Sequence, residues 1–252
     1  LMSVSPDALE EVLGYREVRN YGFGANWYSR QYLEATEALF FENTEKRAVF
    51  MGITPHSLTY RKTVQGHFME LSAMSRQDAF LDVHFGALVN FFEPMSFRDA
   101  MQGLFPSLAP THTVKDYRTD GWVKVHKEPL ELDEVERYQE LFKERKVSDE
   151  VISIIMEFVK KWHAEGIRVY GFIVPSCEQM VQVEREMSGF DEDAFAADFK
   201  RAGGTWIDVD VDVDVDKYEC IDGSHLQDTG AIQFSKDLAA LIQQAESQNA
   251  VP

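Results

Sequence analysis

Two apolar runs, each cut off by a proline, set the tightest limit on how this chain can fold. Arg47-Ala-Val-Phe-Met-Gly-Ile53 stops at Thr54-Pro55, and Ile167-Arg-Val-Tyr-Gly-Phe-Ile-Val174 stops at Pro175. Runs of this length with little polar alternation read as strands buried on both faces, the condition of a parallel sheet. Proline ends each strand because it has no N–H to give to a ladder. Parallel neighbours also need long crossovers, and helical patterns occupy the interval between the two runs.

The remaining segments extend this alternation. A helix is expected over 6–13, with Pro6 in its first turn, Ser5 as cap, and Asp7 and Glu10 near its positive end. Arg16 to Tyr21 reads as a short strand ending at Gly22-Phe23-Gly24, followed by a helix over 29–41. From His56 to about Leu108 the pattern is helical, irregular and rich in Phe and Met; a polar loop around Asp120-Gly121-Trp122 follows. Together these make a helical insert over about 56–130. Helices are then expected at 131–145, 148–165 (Ser148 as cap, Gly166 as stop), 177–187, 191–202 and 228–245, with a strand over 205–209. The expected fold is a single α/β domain over 1–252: a three-layer α/β/α, doubly wound parallel sheet with right-handed crossovers. Ligands in such sheets sit beyond the carboxyl ends of the strands. Gly22–Ala25, Gly52–His56, Pro175–Cys177 and Asp222–His225 all fall there.

Charge and composition narrow the partners. The chain has 25 basic and 43 acidic side chains, a net −18, and lacks the basic stripe that binding a phosphate backbone requires. Nucleic acid is therefore excluded as a partner. No run approaches the roughly 18 apolar residues that cross a bilayer, and no basic segment followed by an apolar run marks a signal peptide. Cys177 and Cys220, the only cysteines, lack C-x-x-C spacing and read as two reduced thiols. His67, His84, His112, His126 and His163 show no paired ligand spacing, so no metal is expected. Asp208-Val-Asp-Val-Asp-Val-Asp-Val-Asp216 alternates with period two and reads as a charged edge strand, with a cation site as the second option.

The chemistry concentrates at Asp222-Gly-Ser-His225. A carboxylate three residues before a histidine, at the entry to the closing helix, can orient the imidazole and stabilise its protonated form. That is the base-and-orienter pair which activates a hydroxyl nucleophile. With Leu226 following, this block resembles the last motif of the SGNH, or GDSL-like, hydrolase superfamily, in particular the branch near the D-alanyl-transfer proteins. The resemblance extends from Asn20 to the last helix, outside the insert. It maps the family's second block onto Asn20-Tyr-Gly-Phe-Gly-Ala25, with Gly24 or Ala25 as a backbone oxyanion donor. The third block, usually Gly-x-Asn, reads Gly52-Ile53-Thr54, so a threonine hydroxyl stands where the family has an amide.

The resemblance implies an ester hydrolase or O-acyltransferase acting through a covalent acyl-enzyme on a small ester or an acylated carbohydrate, with no metal or organic cofactor. His225 would be the base and Asp222 its orienter. The family's first block, which carries the nucleophilic serine, and its strand are expected upstream of Leu1, the strand lying between 16–21 and 47–53. A catalytically inactive SGNH-like binding or accessory domain is the second expectation. Within the chain, Ser3 and Ser5 read as helix-entry caps before nucleophiles, and Cys177 as an idle thiol. His56 reads as a loop residue that could line the pocket with Gly52, and Trp122 as core.

Overall fold

The computed structural model describes residues 3–22, 27–40, 46–59, 112–128, 132–209 and 217–249. Both apolar runs are strands. Counted along the described residues, β1 is Ala48–Ile53, β4 is Arg168–Ile173 and β5 is Thr205–Ile207. They form a parallel sheet in the order β1-β4-β5. The register runs without a slip from Ala48↔Arg168 to Ile53↔Ile173, and from Tyr170↔Thr205 to Phe172↔Ile207.

Seven helices accompany the strands among the described residues: α1 Pro6–Leu13, α2 Arg30–Glu37, α3 Asp133–Glu144, α4 Asp149–Ala164, α5 Glu178–Met187, α6 Glu192–Arg201 and α7 Asp228–Asn249. The chain is thus mixed α/β, built on a small parallel sheet. Successive residues of β4 serve two cores, as the two-residue period of a strand demands. Val169 joins Ile155 and Trp162 of α4 and Phe199 of α6. Tyr170 and Phe172 join Leu9 of α1 and Phe234 and Leu238 of α7. Gly171 lets α6 come close, since a Cβ there would lie 2.8 Å from the ring carbons of Phe199 and Trp206.

α4 illustrates how the pattern becomes packing. Val151, Ile155, Phe158, Val159 and Trp162 recur at helical spacing and are all buried. Asp149 and Glu150 sit at its positive end, Lys161 and His163 at its negative end. Ser148 holds the N-cap position without a side-chain capping bond, and the same is true of Ser5 before α1. Their backbones are anchored instead: Ser148 N donates to Leu58 O at 3.0 Å, and Ser5 N to Ser235 Oγ at 2.8 Å.

Four expectations are revised. Residues 16–21 join no ladder, because their donors are used elsewhere. Val18 N bonds Glu10 Oε1 at 2.6 Å and Asn20 N bonds Asp120 O at 2.8 Å. Second, the end of the supposed helical insert is an antiparallel hairpin, β2 His112–Tyr117 with β3 Val123–Glu128. Its inward residues Val123 and Val125 alternate with polar ones, a signal too short to outweigh the surrounding polarity. Trp122, at the turn, is core. Third, the strand expected to reach residue 209 ends at Ile207. Fourth, Cys177 and Cys220 are paired as a disulfide, their Cα atoms 5.9 Å apart. Two loops distant in sequence converge there, which the spacing of 43 residues could not reveal. Most of the insert, 60–111, and the stretch 210–216 of the Asp/Val repeat lie outside the described residues.

Candidate functional site

Beyond the carboxyl ends of β1 and β4 the chain turns abruptly, and it is there that the titratable residues gather. After β1, Thr54 leads into a 3₁₀ turn, Pro55–Leu58. Ser57 Oγ–H donates to Thr54 O at 2.6 Å and holds that turn closed. After β4, the segment up to Cys177 meets the loop 220–226, with Cys177 N donating to Gly223 O at 3.1 Å. A short bridge between Cys220 and Leu226 closes the loop, and Ile221 N donates to His225 O at 2.9 Å.

The motif Asp-Gly-Ser-His builds its own geometry. Asp222 Oδ1 accepts from the backbone N–H groups of Ser224 (2.9 Å) and His225 (3.0 Å), an Asx-type turn. Gly223 supplies the left-handed backbone this needs, at φ 101°. The other carboxylate oxygen, Oδ2, is then 2.8 Å from His225 Nδ1. Burial pushes the Asp222 carboxyl up. The hydrogen bond and charge of His225, with the two backbone donors, outweigh it and leave the group below the usual carboxylate value. Asp222 is therefore an anion held against the ring, its side chain 18% exposed against 36% for His225.

Ser224 Oγ lies 2.9 Å from His225 Nδ1 and 3.1 Å from Asp222 Oδ1. A nucleophile and its orienter must address opposite ring nitrogens. Ser224 and Asp222 share Nδ1, so Ser224 belongs to the orienting side. No described residue bonds Nε2.

His225, Ser224, Thr54 and His56 line a single cavity of about 700 Å³. Gly52 also borders it, and its carbonyl accepts from Tyr28 Oη at 3.0 Å. The cavity continues along β1, with residues 46–52 on one side and 15–22 on the other. Among the described residues β4 is the one strand paired with β1.

A further residue, absent from the sequence-based candidates, closes the site. Tyr138 of α3 is 4% exposed, and its hydroxyl is 3.4 Å from His56 Nε2. Its ring packs edge-on against His56, centroids 4.8 Å apart. His56 Nδ1 is in turn 3.0 Å from Thr54 Oγ1. Thr54, His56 and Tyr138 thus form one hydrogen-bonded chain, which shares the cavity wall with Ser224 and His225. Ser224 lay inside the recognised motif, whereas Tyr138 is indistinguishable in sequence from any aromatic on the inner stripe of α3.

The other candidates separate cleanly. Gly24 and Ala25 lie outside the described residues. Cys177 is in the disulfide and has no thiolate to offer. Ser5 is buried under α7; Ser3 borders the cavity but makes no hydrogen bond to His225. His126 pairs with Asp228 and Glu128 on the surface, and His163 packs against Gly203. Among the described residues no cluster of His, Cys, Asp and Glu has metal-binding geometry, and no helix is long and apolar enough to cross a membrane. No family model, curated protein or solved structure matches the chain.

Proposed function

We propose that this chain carries the base-and-orienter half of a serine-type acyl-transfer site, on a doubly wound α/β fold of SGNH type. The observation that carries the reading is the disposition of His225: Nδ1 held by the Asp222 carboxylate at 2.8 Å, with no described residue on Nε2, at the wall of a 700 Å³ cavity. That volume is in the range of small-molecule sites. The nucleophile is a serine carried on chain upstream of Leu1. In support, the cavity runs along the β1 edge that has no partner among the described residues, between 15–22 and 46–52. An upstream strand laid there would end near the carboxyl edge of the sheet.

The chemistry is acyl transfer. The serine oxygen attacks the ester carbonyl while its proton passes to His225 Nε2, and Asp222 stabilises the imidazolium. As the tetrahedral intermediate collapses, the C–O bond to the leaving alcohol breaks and that alcohol takes the proton from Nε2. Water or a carbohydrate hydroxyl then gives its proton to Nε2 and attacks the acyl-enzyme, releasing the acid or the acylated acceptor. Thr54 Oγ1 and a backbone N–H of Gly24 or Ala25 serve the oxyanion. The test is hydrolysis of p-nitrophenyl acetate by the full-length protein. Turnover abolished in H225A supports the reading; turnover unchanged in H225A overturns it.

The threonine at position 54 favours a second reading, a non-catalytic SGNH-like domain that binds acylated ligands. Absence of turnover, together with cavity-dependent binding of a short-chain ester, is the outcome that selects it.

A further inference from the structure

The loop that carries Asp222 and His225 is held by backbone hydrogen bonds at its tip and by a covalent bond at its stem. At the tip, Gly223 O accepts from Cys177 N at 3.1 Å, and Asp222 O accepts from Glu134 N, in the first turn of α3, at 3.2 Å. At the stem, Cys220 is bonded to Cys177, their Cα atoms 5.9 Å apart. Cys177 is the N-cap of α5 and follows β4 closely. Val174, just past the end of β4, lines the same cavity as Ser224 and His225. The disulfide therefore ties together two walls of that cavity, the end of β4 and the base loop.

Its two sulfurs are unequal. Cys177 is half-buried at a helix start, whereas Cys220 is buried. A dithiol reductant therefore meets Cys177 first. One of its thiolates attacks Cys177 Sγ to form a mixed disulfide, and the Cys177–Cys220 bond breaks with its electron pair going to Cys220 Sγ, which takes up a proton. The second thiolate then attacks the reagent sulfur of the mixed disulfide and releases Cys177, which takes up the other proton. Two electrons pass to the protein, and the reagent leaves as a cyclic disulfide. The folded loop can hold the product, since Cys220 Sγ lies 3.8 Å from Gly223 O, an acceptor for the S–H that reduction creates. The Asp222–His225 pair also survives, because Asp222 builds its turn on Ser224 N and His225 N. What opening removes is the fixed distance between that pair and the end of β4.

We infer that the Cys177–Cys220 disulfide is a redox clasp on the base loop. Closed, it holds His225 in place at the cavity wall. Opened by a dithiol, it leaves the tip of the loop on its backbone hydrogen bonds and lets the intact Asp222–His225 pair drift from the reacting position. The inference rests on the acyl-transfer reading for its effect on turnover, but the order of the loop is measurable without turnover.

The test compares the full-length protein oxidised, reduced with dithiothreitol that is then removed without air, and reoxidised. Amide hydrogen exchange at Cys177 and Glu134, the donors at the tip of the loop, should quicken about tenfold or more on reduction and recover on reoxidation. Amides within β4, which is paired on both edges, should stay protected. Unchanged exchange at Cys177 and Glu134 overturns the inference. So does loss of protection throughout β4, since the bond then holds the whole fold rather than the loop. In the kinetic arm, kcat for p-nitrophenyl acetate should fall about 10- to 100-fold on reduction, a misplacement of about 1 Å being enough for the larger figure. C177S/C220S should sit at the reduced level and ignore dithiothreitol. Turnover in the parent that reduction leaves unchanged overturns the clasp. Absence of turnover in every state overturns the acyl-transfer reading instead, and the exchange measurement then decides the clasp alone.

Discussion

Replacing Asp222 separates its two jobs, building the loop and orienting the ring. Oδ1 accepts three hydrogen bonds, from Ser224 N, His225 N and Ser224 Oγ, and Oδ2 takes the fourth, from His225 Nδ1. In D222N the amide oxygen can keep the Oδ1 set, so the loss is close to one charged bond, about 1–2 kcal/mol. In D222A all four go, and two backbone N–H groups lose their acceptor in a part-buried turn. The expected cost is about 3–4 kcal/mol. For a chain of this size that separates the two variants by several degrees in Tm, with D222A roughly 10 °C below the parent.

Activity should invert the ranking's apparent mildness. D222N presents an N–H to Nδ1 and selects the wrong tautomer, for which the serine-protease precedent is a fall of about 10⁴ in kcat. The acid limb adds an independent check. The folded-state value of Asp222 is lowered, so its stabilisation is complete above the unfolded carboxylate value near pH 4 and is lost as pH falls through the lower folded value. Thermal melts from pH 2 to 7 should therefore show the parent converging on D222N in acid. Equal Tm values for D222N and D222A, or full turnover in D222N, would refute the assignment of Oδ1 to the loop and Oδ2 to the ring.

Three other perturbations follow from the same geometry. Gly223→Ala forces a Cβ onto a backbone at φ 101°, 2.9 Å from Val135 Cγ2; a loss of about 1–2 kcal/mol is expected in urea unfolding, with reduced kcat. Replacing Cys177 and Cys220 by serine opens a loop of 43-residue separation, which should cost about 4 kcal/mol on the chain-entropy scale. Free thiols in the unreduced, denatured protein would contradict the pairing. Burial raises the Glu184 carboxyl to about 8, so the folded state holds a proton that the unfolded chain releases near pH 4.5. Stability should fall as pH rises through that window and level off above 8, and E184Q should flatten the profile. A parent profile flat from pH 5 to 8 would show Glu184 to be solvated.

Much of the architecture was legible because it rests on local, repeating physics. The runs 47–53 and 167–174 pair with each other in one parallel ladder almost to the residue, since an apolar stretch ended by proline has few other uses. The stripe of α4 and the stop at Gly166, φ 74°, follow from period and backbone freedom in the same way. Asp222 and His225 were legible because their contact spans three residues and the intervening glycine makes the turn. What failed, failed where the partner is remote. Residues 16–21 had the composition of a strand, but a strand exists only where another edge accepts its N–H groups, and these bond Glu10 and Asp120 instead.

The amino-acid sequence by itself therefore determined a mixed α/β chain with parallel strands, and an Asp/His pair that assembles through its own turn. Only the tertiary structure decided the disulfide, the hairpin under Trp122, and the placing of Tyr138 and His56 beside that pair. Apart from the ladder within the hairpin, those features join positions tens of residues apart, and their energies depend on which surfaces the packed helices bring within 3 to 4 Å. Local propensity carries no record of that distance.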